Sequence, residues 1–340
     1  MRKNFRHLLA FIPVFASCGS LASAQLVITP TFDSSITSLS DAAAIESSID
    51  ADIATFETTI TTVNPDHVTI DFENVNSGLG FSHTAQADID YSTYLSGLQA
   101  NPNQSATQMA ALATMPAANV GIQNDAQVLL TASDLAAIGQ SALAASLVSG
   151  NGGFNSTISL NFSQLNDSRP DANPSLYDLQ SVAYHEIDEV LGIGGNATTL
   201  YQAGATPPSS LPTDVGPLDF FRYSAPGTRS FTYDPTQKAY FSIDGGKTNL
   251  VFFNQQNGAN GADFGDWGNP QGTAQGNTPP QVQDAFGTPG GEVNLGTNEL
   301  TGLQVIGYNL VVVPEPSTWA MLLVSVGLLA YLRMRRMAHA

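Results

Sequence analysis

One segment of the 340-residue chain brings together residue types that do chemistry: Tyr184-His185-Glu186-Ile187-Asp188-Glu189-Val190-Leu191-Gly192. On a helix, residues four apart lie on one face, one turn apart. The spacing therefore sets the His185 imidazole beside the Glu189 carboxylate. A nitrogen and an oxygen donor in that relation grip a divalent cation. Glu186, next to His185, stands where it can take a proton from an attacking water. Histidines followed by acids also occur on solvated helix faces, so the short pattern is weak by itself.

The elements that must position these residues read as follows. A helix over 176–191 carries Leu179, Val182, Ala183, Ile187, Val190 and Leu191 on an apolar face, and Gly192 follows it. Residues 156–162 alternate as a strand just before it. Further upstream, 26–32 reads as a first strand and Ser40 or Asp41 caps a helix running to about 59. That helix has Ile45, Ile49, Ile53 and Phe56 at helical spacing. Residues 67–72 alternate, with Val68 and Ile70 on one face. Short helices are expected at 91–100 and 105–113, a longer one at 131–148, and a turn at 150–153. Beyond Gly192 the chain turns rich in Gly, Pro, Asn, Asp and aromatics, with short strands at 239–243 and 250–253 and a helix at 298–306. The Gly/Asn/Gln-rich stretch 254–291 is either a long functional loop or partly disordered. No internal repeat is present.

The two ends speak to destination. Arg2, Lys3 and Arg6 precede an apolar run over 8–21 and the small residues Ala22-Ser23-Ala24. That order reads as a secretory signal peptide, 1–24. Cys18, the only cysteine, lies inside it. Its context, Phe15-Ala16-Ser17, lacks the aliphatic residue of a lipoprotein signal. The mature chain is thus expected to have no disulfide and no thiolate ligand. Residues 25–316 hold 29 acids against five bases, a net charge of −24. Such a balance argues against nucleic acid or an anionic lipid face as partner. It suits a soluble extracellular protein that takes up cations. At the other end Pro314-Glu315-Pro316 precedes an apolar run over 319–332 and Arg333-Met334-Arg335-Arg336. The prolines break any helix entering from the body, and the arginines favour the cytoplasmic side. This end resembles the PEP-CTERM sorting tail, 314–340. The resemblance implies an exported envelope protein of a Gram-negative bacterium. A short transmembrane helix would hold it in the inner membrane until an exosortase-type enzyme processes the tail, after which it is surface-bound or extracellular. A permanent anchor is the alternative.

The helix around His185 resembles the His-Glu-x-x-His helix of zinc proteases, with Glu189 in place of the second histidine. Further segments extend the likeness: 216–224, 240–246, Phe264-Gly265-Asp266-Trp267, 284–287 and 303–308. The body is similar to a family of PEP-CTERM-bearing zincin-like metalloproteases. That resemblance implies an α+β, zincin-like (metzincin-related) domain over 25–192, with a mixed sheet packed on an active-site helix. An irregular Gly/Asn-rich subdomain over 193–313 follows. The implied activity is metal-dependent hydrolysis of a protein or peptide substrate. The chain departs from metzincins where a third histidine would stand, at Gly195, and it has no methionine between Met115 and Met321. A third ligand then falls to a carboxylate, a tyrosine or water. Asp219 is the candidate, with a turn or an ion pair to Arg222 as its equal alternative; Asp214 and Tyr223 stand behind it. His185, Glu189 and Asp219 would hold zinc or another divalent metal. Glu186 would act as general base and Arg222 or Tyr223 would stabilise the oxyanion.

Other groups read more plainly. Asp244-Gly245-Gly246 is a hairpin turn first and a calcium loop second. Asp263, Asp266 and Asp284 are candidates for calcium, and His67 and His83 for surface or strand-capping positions. No Gly-x-Ser-x-Gly element precedes a helix, which disfavours a serine nucleophile. The alternative function is a non-catalytic envelope or matrix protein whose degenerate site holds a structural ion or none.

Overall fold

A computed structural model describes residues 24–117, 127–195, 215–231, 238–256, 263–311 and 316–338. Residues 1–23 of the expected signal peptide, Asp214 and the Pro314-Glu315 pair lie outside the described residues. The first part of the chain runs β1 (Ala24–Phe32), α1 (Ser34–Thr37), α2 (Ala42–Thr59), β2 (Ile60–Thr62), β3 (Asp66–Asn74), β4 (Gly80–Thr84) and β5 (Gln86–Asp90). It continues through α3 (Tyr91–Gln99), α4 (Ala106–Leu112), β6 (Gln127–Thr131), α5 (Ala132–Ala137), α6 (Ser141–Gly150) and β7 (Ser156–Leu160). β8 (Leu165–Asn166), β9 (Tyr177–Asp178) and α7 (Leu179–Leu191) complete it. The second part holds β10 (Arg222–Ala225), β11 (Thr228–Arg229), β12 (Tyr240–Phe241), β13 (Val251–Phe253), β14 (Trp267–Gly268), α8 (Thr297–Ile306), β15 (Asn309–Leu310) and α9 (Pro316–Ala338). The architecture is mixed α+β with several sheets.

The main sheet has six strands in the order β15-β2-β1-β3-β7-β4. β1, β3 and β7 are parallel at its centre, and β4 closes one edge antiparallel to β7. Period-two alternation explains the burial: Leu26, Ile28, Val68, Ile70, Phe72, Ile158 and Leu160 are all buried. α2 and α7 pack on each other, α2 also on β1 and α7 on β4 and β7. Ile45, Ile49, Ile53 and Phe56 fill that layer from α2, as their spacing predicts. A second, five-stranded sheet, β11-β10-β12-β13-β14, is knitted by aromatics. Phe241 stacks on Trp267 at 5.6 Å between centroids and meets Phe221 and Phe253 edge-on.

Three expectations shift. The helix expected over 131–148 is two, α5 and α6, parted where the chain turns left-handed at Gly139. α7 starts at Leu179 rather than 176, because Tyr177 and Asp178 pair with β8. The hairpin β5–β6 and the edge strand β4 carried no clear sequence signal. β4 reads Gly-Phe-Ser-His-Thr, with only Thr84 buried, so its alternation is blurred. Among the described residues no helix is long and apolar enough to cross a membrane, which leaves the expected transmembrane helix of the tail without support.

Candidate metal centre

α7 is pinned at both ends. Asp178 caps its start, with Oδ2 accepting the Ser181 N–H at 2.8 Å. Gly192 ends it in the left-handed region at φ 108°. Between these caps, the i,i+4 relation sets His185 Nε2 3.6 Å from Glu189 Oε1. The third acid arrives from just ahead of β14: Asp266 Oδ2 lies 3.8 Å from the same nitrogen. One donor atom from each of His185, Glu189 and Asp266 lies within 4.8 Å of the others.

Neighbours aim each donor. His185 Nδ1 lies 3.0 Å from the Val282 carbonyl oxygen. A carbonyl only accepts, so Nδ1 carries a proton and Nε2 is the nitrogen that faces the two acids. Gln283 Nε2 donates to Asp266 Oδ1 at 2.9 Å and sits 3.3 Å from His185 Nε2. Glu189 accepts the Ser82 hydroxyl on Oε2 at 2.7 Å and the Gly195 N–H on Oε1 at 3.1 Å. Gly195 has no room for a side chain: a Cβ there would stand 1.6 Å from Asp263 Oδ2. A carboxylate from elsewhere in the chain thus occupies the space beyond position 195.

Glu186 points to the other side of α7's polar face, toward β4. Its Oε1 is 2.5 Å from where a Cβ on Gly80 would stand, so only glycine lets the edge strand approach. Glu186 is 4% exposed. Its Oε2 has no hydrogen-bond partner among the described residues. The centre opens into a cavity of about 510 Å³ along residues 78–82, walled also by Tyr177, Val182, Val282, Ala285 and Val293.

Charge makes the case for a cation. Burial disfavours an imidazolium at His185, yet Asp266, Glu189 and Glu186 outweigh it and raise its proton affinity well above the ordinary value. Burial, then the charge of Glu189, raises Glu186 well above the usual carboxylate range. Asp263 is pushed up to about 9 by burial, with Asp266 and Glu189 adding to it. Burial pushes Asp266 up to about 7 against the pull of His185. Crowded acids that resist ionising together are relieved by a divalent ion, whose charge opposes the mutual repulsion behind part of these shifts. The donor set fits one: an imidazole oriented through its Nδ1, two carboxylates and, nearby, a carboxylate oxygen without a partner among the described residues.

The structure brings His185, Glu186 and Glu189 to one site and leaves Asp219, Arg222 and Tyr223 away from it. None of those three lines the cavity. Asp219 Oδ2 accepts the Gly216 N–H at 2.9 Å, inside the short 3-10 turn Pro217–Phe221. Arg222 is fully buried, donates to the Phe264 carbonyl at 2.7 Å and lies over the Phe253 ring. Burial lowers its pKa to about 10, against the nearby Asp219 charge. Tyr223 is buried with the Arg229 guanidinium over its ring. Asp266, read from sequence as a calcium ligand, is the third member of the His185 cluster. Asp284 is held by the Asn277 N–H and side-chain amide and by the Gln281 N–H. Asp244 is spent within its own turn on Ser242, Lys247 and Thr248. His67 and His83 are exposed. Sequence reasoning missed Ser82 and Gln283, which carry no motif, and gave Asp266 another role.

Comparison with known proteins bears on the tail. Residues 312–336 match the PEP-CTERM protein-sorting motif. That motif implies export, and processing at the cell envelope by an exosortase-type enzyme. No curated protein matches the chain, and no solved structure does.

Proposed function

We propose that the body is an exported metal-dependent peptidase. The observation that carries this reading is the cluster of His185, Glu189 and Asp266 beside a buried, partnerless Glu186 oxygen on a cavity. A mixed sheet packed on the helix that bears three of these residues supports a zincin-like reading of 25–192, with 193–313 supplying Asp266. His185, Glu189 and Asp266 would hold zinc or another divalent ion, which when bound polarises a scissile carbonyl and acidifies a water. Glu186 takes the proton from the attacking water and delivers it to the leaving amine nitrogen as the C–N bond breaks. Val282 and Gln283 keep His185 in the ligating tautomer, and Ser82 and Gly195 hold Glu189 in place. β4 is an edge strand, and its residues Gly80, Phe81 and Ser82 line the cavity. An extended peptide can add to such an edge through main-chain hydrogen bonds, which favours peptide over small-molecule substrates.

Metal analysis of the purified chain together with a peptide-cleavage assay tests this. Stoichiometric metal is expected in both the native chain and Glu186→Gln. Cleavage should fall by about 10²-fold or more in the variant. A chain without metal, or a Glu186→Gln variant as active as the native one, sinks the proposal. A second reading is a non-catalytic envelope protein with a structural ion. The two carboxylate ligands favour it, since they make a bound ion a poorer electrophile. Metal present with no cleavage in any variant would select it.

A further inference from the structure

Six carboxylates line the cavity, those of Asp178, Glu186, Glu189, Asp263, Asp266 and Asp284, and among the described residues no lysine or arginine does. Their partners sort them. Asp178 is paired with Arg169. Asp284 is occupied by N–H groups of Asn277 and Gln281. Glu189 and Asp266 belong to the ligand cluster, and Glu186 is the proton carrier of the proposed reaction. Asp263 remains. It stands outside the cluster, yet its carboxylate fills the space beyond Gly195, whose N–H is bonded to Glu189. No described residue donates a hydrogen bond to that carboxylate.

One divalent ion at the cluster takes up Glu189 and Asp266 and leaves Glu186 and Asp263 as acidic groups on a cavity wall that holds no lysine or arginine among the described residues. Glu186 is buried and its Oε2 lacks a hydrogen-bond partner among the described residues, so the wall is short of donors. A recess lined by one sign of charge focuses its field on whatever enters. Leu79, Val182, Val282 and Val293 supply apolar walls, against which the methylene stem of a basic side chain packs well. We infer that the cavity recognises an organic cation on its substrate, an ammonium or guanidinium seated on Asp263. It therefore selects peptides with a positive group beside the scissile bond and rejects acidic ones. The scissile bond rests on the peptidase reading above; the cation seat does not.

Calorimetric titration of the zinc-loaded Glu186→Gln chain, in which cleavage is blocked, tests the seat with three peptides on one apolar frame. One has a free α-amine, one is N-acetylated with a lysine, and one is N-acetylated with norleucine in lysine's place. A cationic peptide is expected to bind about tenfold tighter than the norleucine peptide. The arm that does so names the source, chain terminus or side chain. Adding Asp263→Asn should bring the ratio near one with zinc content unchanged, while Asp263→Glu keeps the preference. Equal binding of all three peptides, no binding, or a preference that survives Asp263→Asn overturns the inference. Zinc lost from a folded Asp263→Asn chain also overturns it, because Asp263 would then be a ligand. Cleavage by the native chain is scored separately: a cation-selective cavity without cleavage overturns the peptidase reading alone.

Discussion

At the scale of single residues, the centre rests on which acid completes it. Asp266→Ala removes an oxygen 3.8 Å from His185 Nε2 and is expected to abolish stoichiometric metal binding. Asp219→Ala should leave the metal in place, because Asp219 serves the Gly216 N–H instead. Metal content of the two purified variants separates them; loss in Asp219→Ala and retention in Asp266→Ala would reverse the assignment. His185, Glu186 and Glu189 were legible in the sequence because helical geometry alone relates them. Asp266 was not, because its approach depends on a second sheet and on Gln283. No local spacing encodes such a contact. The same limit sent Asp219 to the site on the strength of a resemblance, when its own neighbour Gly216 already claimed it.

At the scale of elements, β4 and the start of α7 govern the cavity. A methyl group on Gly80 would press on Glu186 Oε1 at 2.5 Å and Val182 Cγ1 at 2.9 Å. Gly80→Ala is therefore expected to displace Glu186, the proposed base, while sparing the proposed ligands: cleavage down about a hundredfold, metal content unchanged. Unaltered cleavage would show that β4 and Glu186 are not in register. Arg169 ties three segments together. It pairs with the α7 cap Asp178 at 2.5 Å and donates to Asn294 Oδ1 and the Val293 carbonyl. Arg169→Ala leaves a buried cap unpaired and should cost about 3 kcal/mol in urea unfolding. The long helices and central strands followed from periodicity. β4 did not, since an edge strand with one buried side chain leaves no alternation to read, and it is the strand that meets Glu186.

At the scale of the whole molecule, a cysteine-free body must be held by its core, and that core includes buried acids. Burial pushes the Asp66 carboxyl up from 3.8 to about 8. The folded chain thus keeps a proton that the unfolded chain releases. That contribution is complete below about pH 4 and is lost as pH rises to about 8. Asp52 adds to the same window. Urea midpoints should fall between pH 5 and pH 8, and Asp66→Asn should lessen the fall; an identical fall in the variant would remove Asp66 as a cause. The order of the main sheet has a further consequence. The chain enters its sorting tail directly after β15, and β15 and β4 are the opposite edges of the sheet. Five strand spacings of about 4.8 Å part them, or about 24 Å. Whatever grips the tail therefore approaches the far flank of the molecule. The cavity beside β4 thus stays open to large partners while the tail is held for processing.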